Sequence, residues 1–165
     1  MPRDQESSLI RLLEQYGPAM RRLCAAYTVS AGDRDDLYQE IALALWTALP
    51  RFRGESSERT WLYRIAHNVA LTYIQKDRRY AQPLDSGEET LGALPAAGDP
   101  ESQAARAEQQ QRLLNAVSRL PVDSRRLILL YLEGLTGGEM AAILGISEAN
   151  VATRLSRIRK ELVQP

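Results

Sequence analysis

The stretch Leu135-Thr136-Gly137-Gly138-Glu139-Met140-Ala141-Ala142-Ile143-Leu144-Gly145-Ile146-Ser147 decides how the C-terminal half folds. Thr136 and Glu139 have the capping-box spacing, in which the hydroxyl and the carboxylate each accept from a backbone N–H that the first helical turn leaves unpaired. A short apolar helix follows and stops at Gly145, the residue type that tolerates the left-handed conformation beyond a helix end. Ser147 can then cap a second helix, with Glu148 in its first turn against the positive end of the dipole. Two capped helices joined by so tight a turn predict a helix-turn-helix. Gly137-Gly138 should loosen its first turn, because glycine carries an entropic cost inside a helix.

The second helix is two-faced. Val151, Leu155, Ile158 and Leu162 recur at helical spacing and predict one buried stripe. Asn150, Thr153, Arg157 and Lys160 fall on the opposite side, with Arg154 at the border. Asn and Arg near the start of such a helix suit base edges in a major groove, and later Arg and Lys suit phosphates. An ordinary amphipathic surface helix would carry similar charges, so the capped turn supplies most of the specificity.

Composition narrows the alternatives. The chain has 165 residues, 44% hydrophobic and 25% charged, enough for one domain or two small ones with real cores. Formal net charge is zero, so any case for nucleic acid must come from local charge. No apolar run approaches membrane-spanning length, and Arg3, Asp4 and Glu6 occupy the place of a signal-peptide core. The expected compartment is the cytoplasm. A lone Cys24 cannot form an internal disulfide or a cysteine zinc cluster, and it falls in an apolar stripe. No phosphate loop, metal cluster or nucleophile constellation is present, so neither metal, cofactor nor enzymatic activity is expected.

In the N-terminal half Leu9, Leu13, Tyr16, Met20, Leu23, Cys24 and Tyr27 keep helical spacing, with a break or kink expected at Gly17-Pro18. Gly32-Asp33 should end one helix and cap the next, whose buried side is Leu37, Ile41, Ala44 and Ala48. Its other side carries Asp35, Asp36, Gln39 and Glu40, then Leu43 and Trp46. An acidic patch edged by apolar groups suits a protein partner with basic side chains; burial of Leu43 and Trp46 by neighbouring helices is equally open.

Pro50 ends that helix, and an exposed loop runs from Arg51 to Ser57. A long helix from about Ser57 should bury Leu62, Ile65, Ala66, Val69 and Tyr73, and turn Arg64, His67, Asn68, Leu71 and Gln75 outward. Between Arg51 and Tyr80, seven basic residues (Arg51, Arg53, Arg59, Arg64, Lys76, Arg78, Arg79) face three acidic ones (Glu55, Glu58, Asp77), interleaved with Phe52, Trp61, Tyr63 and Tyr80. Basic charge follows a phosphate backbone and aromatic rings stack on unpaired bases, a mixture that favours single-stranded or melted DNA.

After Tyr80 the composition changes. Residues 81–101 hold five acidic residues (Asp85, Glu88, Glu89, Asp99, Glu101), no Lys or Arg, and repeated Pro and Gly. They predict an interdomain linker, either an inert tether or an occupant of a basic channel in a partner. Helical sequence resumes near Ser102 and runs to Leu120-Pro121; another helix with Leu127, Ile128, Leu130 and Leu132 ends at Gly134. No strand-like alternation appears. The fold class is all-α: two small helical domains, 1–80 and 102–165, joined by the flexible acidic linker 81–101.

Two separated blocks match one pattern. Asp35-Asp36-Leu37-Tyr38-Gln39-Glu40, the Phe52-Arg53 loop and Thr60-Trp61-Leu62-Tyr63-Arg64-Ile65-Ala66-His67-Asn68 resemble region two of bacterial RNA polymerase sigma factors. Leu120-Pro121, Arg125, Leu130, Glu133-Gly134-Leu135-Thr136, Glu139-Met140-Ala141, Leu144-Gly145-Ile146-Ser147 and the Val151, Arg154, Leu155, Arg157, Arg159 series resemble region four. Their order, with only a short linker between, is similar to the extracytoplasmic-function (ECF) group.

The resemblance implies roles. Asp36, Gln39 and Glu40, with Asp35 and Leu43 beside them, would dock on the clamp helices of core RNA polymerase. Phe52, Arg53, Ser56, Arg59, Trp61, Tyr63, Arg64 and Asn68 would recognise the downstream promoter element and hold it open. Ser147, Asn150, Thr153, Arg154, Arg157 and Lys160 would meet the upstream promoter DNA as duplex. The linker would thread a polymerase channel. Partners would be the polymerase, promoter DNA and an anti-sigma factor, with the free chain a monomer.

The chain departs from the family pattern at His67, Thr72, Asn150 and Ala152, where members commonly carry a basic residue, an acidic one, Thr and Lys. The last two bear on the exact upstream sequence read. The competing function is a stand-alone regulator that binds duplex DNA as a dimer through its helix-turn-helix. Such a protein has no use for the Arg51–Tyr80 basic-aromatic block.

Overall fold

The computed structural model describes residues 2–76 and 100–163, which form seven α-helices and no strand. They are α1 (Pro2–Tyr27), α2 (Ala31–Ala48), α3 (Glu58–Lys76), α4 (Pro100–Ser118), α5 (Val122–Leu132), α6 (Gly137–Leu144) and α7 (Glu148–Val163), with a 3-10 turn (Leu49–Arg51) after α2. Most of the expected linker lies outside the described residues; its last two, Pro100 and Glu101, open α4.

Helix α1 packs on α2 and α2 on α3, while α7 packs on both α5 and α6. The halves also touch: α3 lies against α6, and α4 against α1. Leu12, Met20, Leu37, Ile41, Leu45 and Leu62 are fully buried in the N-terminal half, as are Val117 and Leu130 in the C-terminal half. All belong to one continuous apolar cluster. Each such side chain contributes about 1.5–3 kcal/mol of burial, so the cluster outweighs local conflicts in the helices.

One such conflict sits at Pro18. The expected break is absent and α1 runs straight through it. An interior proline leaves the carbonyl four residues earlier, here on Glu14, without its donor, at a cost of about 3 kcal/mol or more. Leu12 before it and Ala19, Met20, Leu23 and Cys24 after it are all buried, and their combined packing holds the helix together.

Helix α2 starts a turn earlier than Gly32-Asp33 suggested. Ser30 is its cap, accepting from the Asp33 N–H at 3.1 Å, and Gly32 lies inside the helix. Ser57 caps α3 in the same way through the Thr60 N–H.

The inward face of α3 is wider than one stripe. Thr60, Leu62, Tyr63, Ala66, His67, Ala70 and Ile74 are buried, whereas Ile65, Val69 and Tyr73 are only partly so. His67 therefore points inward, not outward. The reason is that α3 has neighbours on two sides, α1 and α2 on one and α6 on the other.

The helix-turn-helix follows its sequence signals. Thr136 accepts from the Glu139 N–H at 3.1 Å and Glu139 from the Thr136 N–H at 3.0 Å, closing the capping box. Gly145 ends α6 at φ 70°, in the left-handed region that glycine favours. Ser147 accepts from the Asn150 N–H at 3.1 Å. Gly138 has a packing reason as well, since a Cβ there would stand 3.2 Å from the Glu148 carboxylate of α7.

Candidate nucleic-acid interface

Helix α7 presents a clean polar face. Val151 and Ile158 are buried and Leu155 and Leu162 half-buried, which turns Asn150, Thr153, Arg154, Arg157 and Lys160 to solvent. Arg154 Nε donates to Asn150 Oδ1 at 3.1 Å. That bond ties two side chains into one unit, leaving the Asn150 amide nitrogen and the Arg154 fork to face outward. The Thr153 hydroxyl donates to the Ala149 carbonyl at 3.0 Å, so its methyl group is the part presented. Arg159 is not on this face; its guanidinium lies 5.6 Å from the Tyr131 ring centre.

The loop before α3 is built differently. Gly54 turns it at φ 74°, and Arg53 and Glu55 are exposed. Phe52 and Trp61 pack with ring centres 4.7 Å apart and tilted by 37°, both half-buried, so Trp61 braces the loop and remains partly open to solvent. Ser56 is half-buried, its hydroxyl donating to the Ser57 carbonyl at 3.3 Å. Tyr63 lies inside the core, 3% exposed and edge-on to Tyr16 at 6.3 Å. It supports the surface from beneath and offers no ring to a base in this arrangement.

Three downstream candidates bond to the C-terminal half. The Arg59 fork grips the Glu139 carboxylate, Nη2 to Oε1 at 2.5 Å and Nε to Oε2 at 3.2 Å. Arg64 Nη2 donates to the Ala142 carbonyl at 3.2 Å. Asn68 Oδ1 accepts from Arg126 Nη2 at 3.2 Å. The Arg59 fork, with help from the Thr136 N–H, holds the Glu139 carboxyl down at about 2.

Beneath these contacts runs a buried polar chain. The Tyr27 hydroxyl meets His67 Nδ1 at 3.1 Å, and the Tyr27 ring lies 5.6 Å from the Arg125 guanidinium. Arg125 is buried and donates to the Leu120 carbonyl at 2.9 Å and, at 3.5 Å, to Ala26 in the other half. Burial, aided by the nearby Arg126 charge, pushes His67 down to about 3, so the ring is neutral and structural. Arg22 and Glu133 form a further bidentate pair across the halves, at 2.7 and 2.8 Å.

On the far side of the N-terminal half, Asp35, Asp36, Gln39 and Glu40 are exposed along α2. Leu43 is 64% exposed beside them, and Trp46 is half-buried. Neighbouring helices thus leave Leu43 uncovered. A groove of 630 Å³ between α2 and α3 borders Glu40, Leu43, Arg51 and Asn68, joining the acidic-apolar face to the basic-aromatic one.

Arg126 and Glu133 do not stand out by residue type, and neither does Glu139 beyond its capping role. Their partners are 58 to 111 positions away, a separation at which no periodicity or spacing gives a signal. Among the described residues there is no cluster of His, Cys, Asp and Glu suited to a metal, and no helix long and apolar enough to cross a membrane.

Known proteins account for both halves. Residues 12–80 match sigma-70 region 2 and residues 110–162 match sigma-70 region 4. The ECF RNA polymerase sigma-E factor of Escherichia coli K12 is 35% identical, over 93% of this chain and 85% of that protein. RfaY of Xanthomonas campestris, described as a probable RNA polymerase sigma factor, is also 35% identical, and this chain spans only 37% of its length. Among solved structures, the sigma factor RpoE of Bartonella quintana, in complex with the anti-sigma factor NepR, superposes with TM-score 0.69 at 25% identity. It covers 96% of this chain and 94% of that one. CnrH, in complex with the cytosolic domain of CnrY, does so with TM-score 0.67 at 26% identity, over 95% of this chain and 86% of that one. A stand-alone regulator would need no region 2, and that alternative is not favoured. With both sigma-70 regions in order and sigma-E aligned along nearly its whole length, the chain belongs to the ECF group of RNA polymerase sigma factors.

Proposed function

We propose that this chain is a dissociable promoter-specificity subunit that brings core RNA polymerase to particular promoters and helps part their strands. Polymerase supplies the catalysis, and the chain itself carries out no reaction. Its functional units are 1–80 and 102–165, joined by 81–101. The free form is a cytoplasmic monomer, and its partners are core polymerase, promoter DNA and an anti-sigma factor.

The α2 face of Asp35, Asp36, Gln39, Glu40 and Leu43 docks on the polymerase: exposed carboxylates attract a basic surface and the uncovered leucine adds apolar burial. Phe52, Arg53, Ser56, Arg59, Trp61, Arg64 and Asn68 hold the downstream element open, with Tyr63 as their buried support. Captured bases offset an unstacking cost of a few kcal/mol each. Ser147, Asn150, Thr153, Arg154, Arg157 and Lys160 engage the upstream element in the major groove, with the Asn150–Arg154 unit reading bases and the later cations following phosphates.

The observation that carries this reading is the coexistence, in one chain matching both sigma-70 regions, of a capped and exposed duplex-reading helix with a braced basic-aromatic loop. Run-off transcription with core polymerase on a matched promoter tests it. Full-length transcript should depend on adding the chain; equal transcript without it dismisses the proposal.

A further inference from the structure

A cavity of 420 Å³ opens where α1, the first turns of α2 and α4 meet, apart from every residue assigned to DNA. Arg21, Arg22 and Arg34 line it, and Asp35 is the one acid among the described lining residues. Arg22 gives Nε and Nη2 to Glu133, which leaves its Nη1 without a protein acceptor among the described residues. Arg21 and Arg34 have no carboxylate partner among the described residues. The Arg21 guanidinium lies 5.5 Å from the Tyr38 ring centre, and Arg34 is half-buried one turn before Tyr38 on α2.

Three guanidiniums against two carboxylates, Asp35 and Glu133, leave the cavity net positive. Each open fork presents planar pairs of N–H donors, the geometry that suits phosphate oxygens. The rest of the wall is of another kind: Tyr38, Leu114 and the buried Ala25 give it an aromatic and apolar surface. The volume falls within the range of small-molecule sites, about 300–1,000 Å³, and exceeds what a bare phosphate fills. A diphosphate offers oxygens enough to engage more than one fork at once, and a planar base suits the aromatic wall.

We propose that this cavity binds an organic phosphate of the nucleotide class, with Arg21, Arg34 and the free Nη1 of Arg22 on its phosphates and the base against Tyr38 and Leu114. Asp35 and Gln39 share the same wall, and both belong to the face proposed above to dock on polymerase. Occupancy is therefore linked to docking, because sites that share residues do not bind independently. That linkage rests on the docking assignment; the site itself does not.

In full-length protein, anisotropy of N-methylanthraniloyl-ADP reads binding directly, with unlabelled ADP, inorganic pyrophosphate and adenosine as competitors. ADP should displace the probe, pyrophosphate should need about tenfold more for want of a base to stack, and adenosine should compete least. Arg34→Glu should weaken binding by about tenfold or more, through loss of a charge-assisted fork. Arg34→Lys keeps the charge without the fork and should lose less. Thermal melts followed by circular dichroism establish that each variant is folded, and amide shifts on titration with ADP should centre on Ala25, Ala31 and Leu114. No displacement by ADP, or parent affinity in Arg34→Glu, overturns the site. Binding lost instead in Arg53→Glu or Arg157→Glu puts the probe on the DNA faces and overturns it too. Pyrophosphate competing as well as ADP overturns the nucleotide class. Failure of the sigma-factor reading shows elsewhere, as run-off transcription that ignores the wild-type chain.

Discussion

The two regions proposed to face DNA are made in contrasting ways. The upstream candidates sit on one helix and the turn before it, Ser147 to Lys160, and the side-chain hydrogen bonds that arrange them span no more than four residues. The downstream face is assembled from a loop, a helix and partners up to 80 positions away. A face that local caps build is ready before any ligand arrives. A face braced by the other half of the chain takes its geometry from the packing between the halves.

The most damaging way to break the contrast is at the shared core. Tyr27→Ala removes a fully buried ring between His67 and Arg125 and should cost about 3–5 kcal/mol. Because the apolar cluster is continuous, calorimetry should show one transition that shifts as a whole. A C-terminal transition left at its parent temperature would mean the halves fold independently.

Smaller effects separate the faces. Arg154→Ala should weaken upstream duplex binding by about 1–3 kcal/mol and relax preference for the specific sequence, as titration against a scrambled duplex would reveal. It should leave single-strand binding alone. Trp61→Ala should do the reverse, slowing strand opening seen with a fluorescent base analogue, with a loss of about 1–3 kcal/mol if one base stacks on it. Normal opening would reduce Trp61 to a brace for Phe52. Thr136→Ala breaks the capping box and should cost about 1 kcal/mol of stability in chemical denaturation.

Acid should act on the boundary between the halves. His67 is held near 3 in the fold against 6.5 for an ordinary histidine, so the folded state takes up its proton later than the unfolded state. Its neutral form is fully compatible with the fold above pH 6.5, and stability falls as pH drops from there towards 3. Glu139, lowered from 4.5 to about 2, adds a second loss as pH falls through that lower window. Both slopes have the same sign. His67→Gln should flatten the upper one in a denaturation series across pH.

How much of this could be read in the sequence follows the same division. The capping box, the Gly145 stop, the Ser147 cap and the Val151–Ile158 stripe are local patterns, and the structure has them where spacing put them. Pro18 misled because a local rule was outweighed by packing on both sides of it. His67 misled because a helix with two neighbours buries more than one stripe, and only tertiary structure supplies the second neighbour. Tyr63 carries the residue type expected of a base-stacking surface, yet its position on α3 places it among Tyr16 and His67. The Arg22–Glu133 and Arg59–Glu139 pairs were invisible, since any surface arginine and glutamate look alike until the fold brings two of them together.

Permanganate probing of promoter DNA with core polymerase, with and without this chain, is the most direct test of the central claim. Unpaired thymines should appear in the downstream element only when the chain is present, while the upstream element stays double-stranded and protected. Thymine reactivity that is the same without the chain, or upstream protection with no reactive thymines at all, would contradict it.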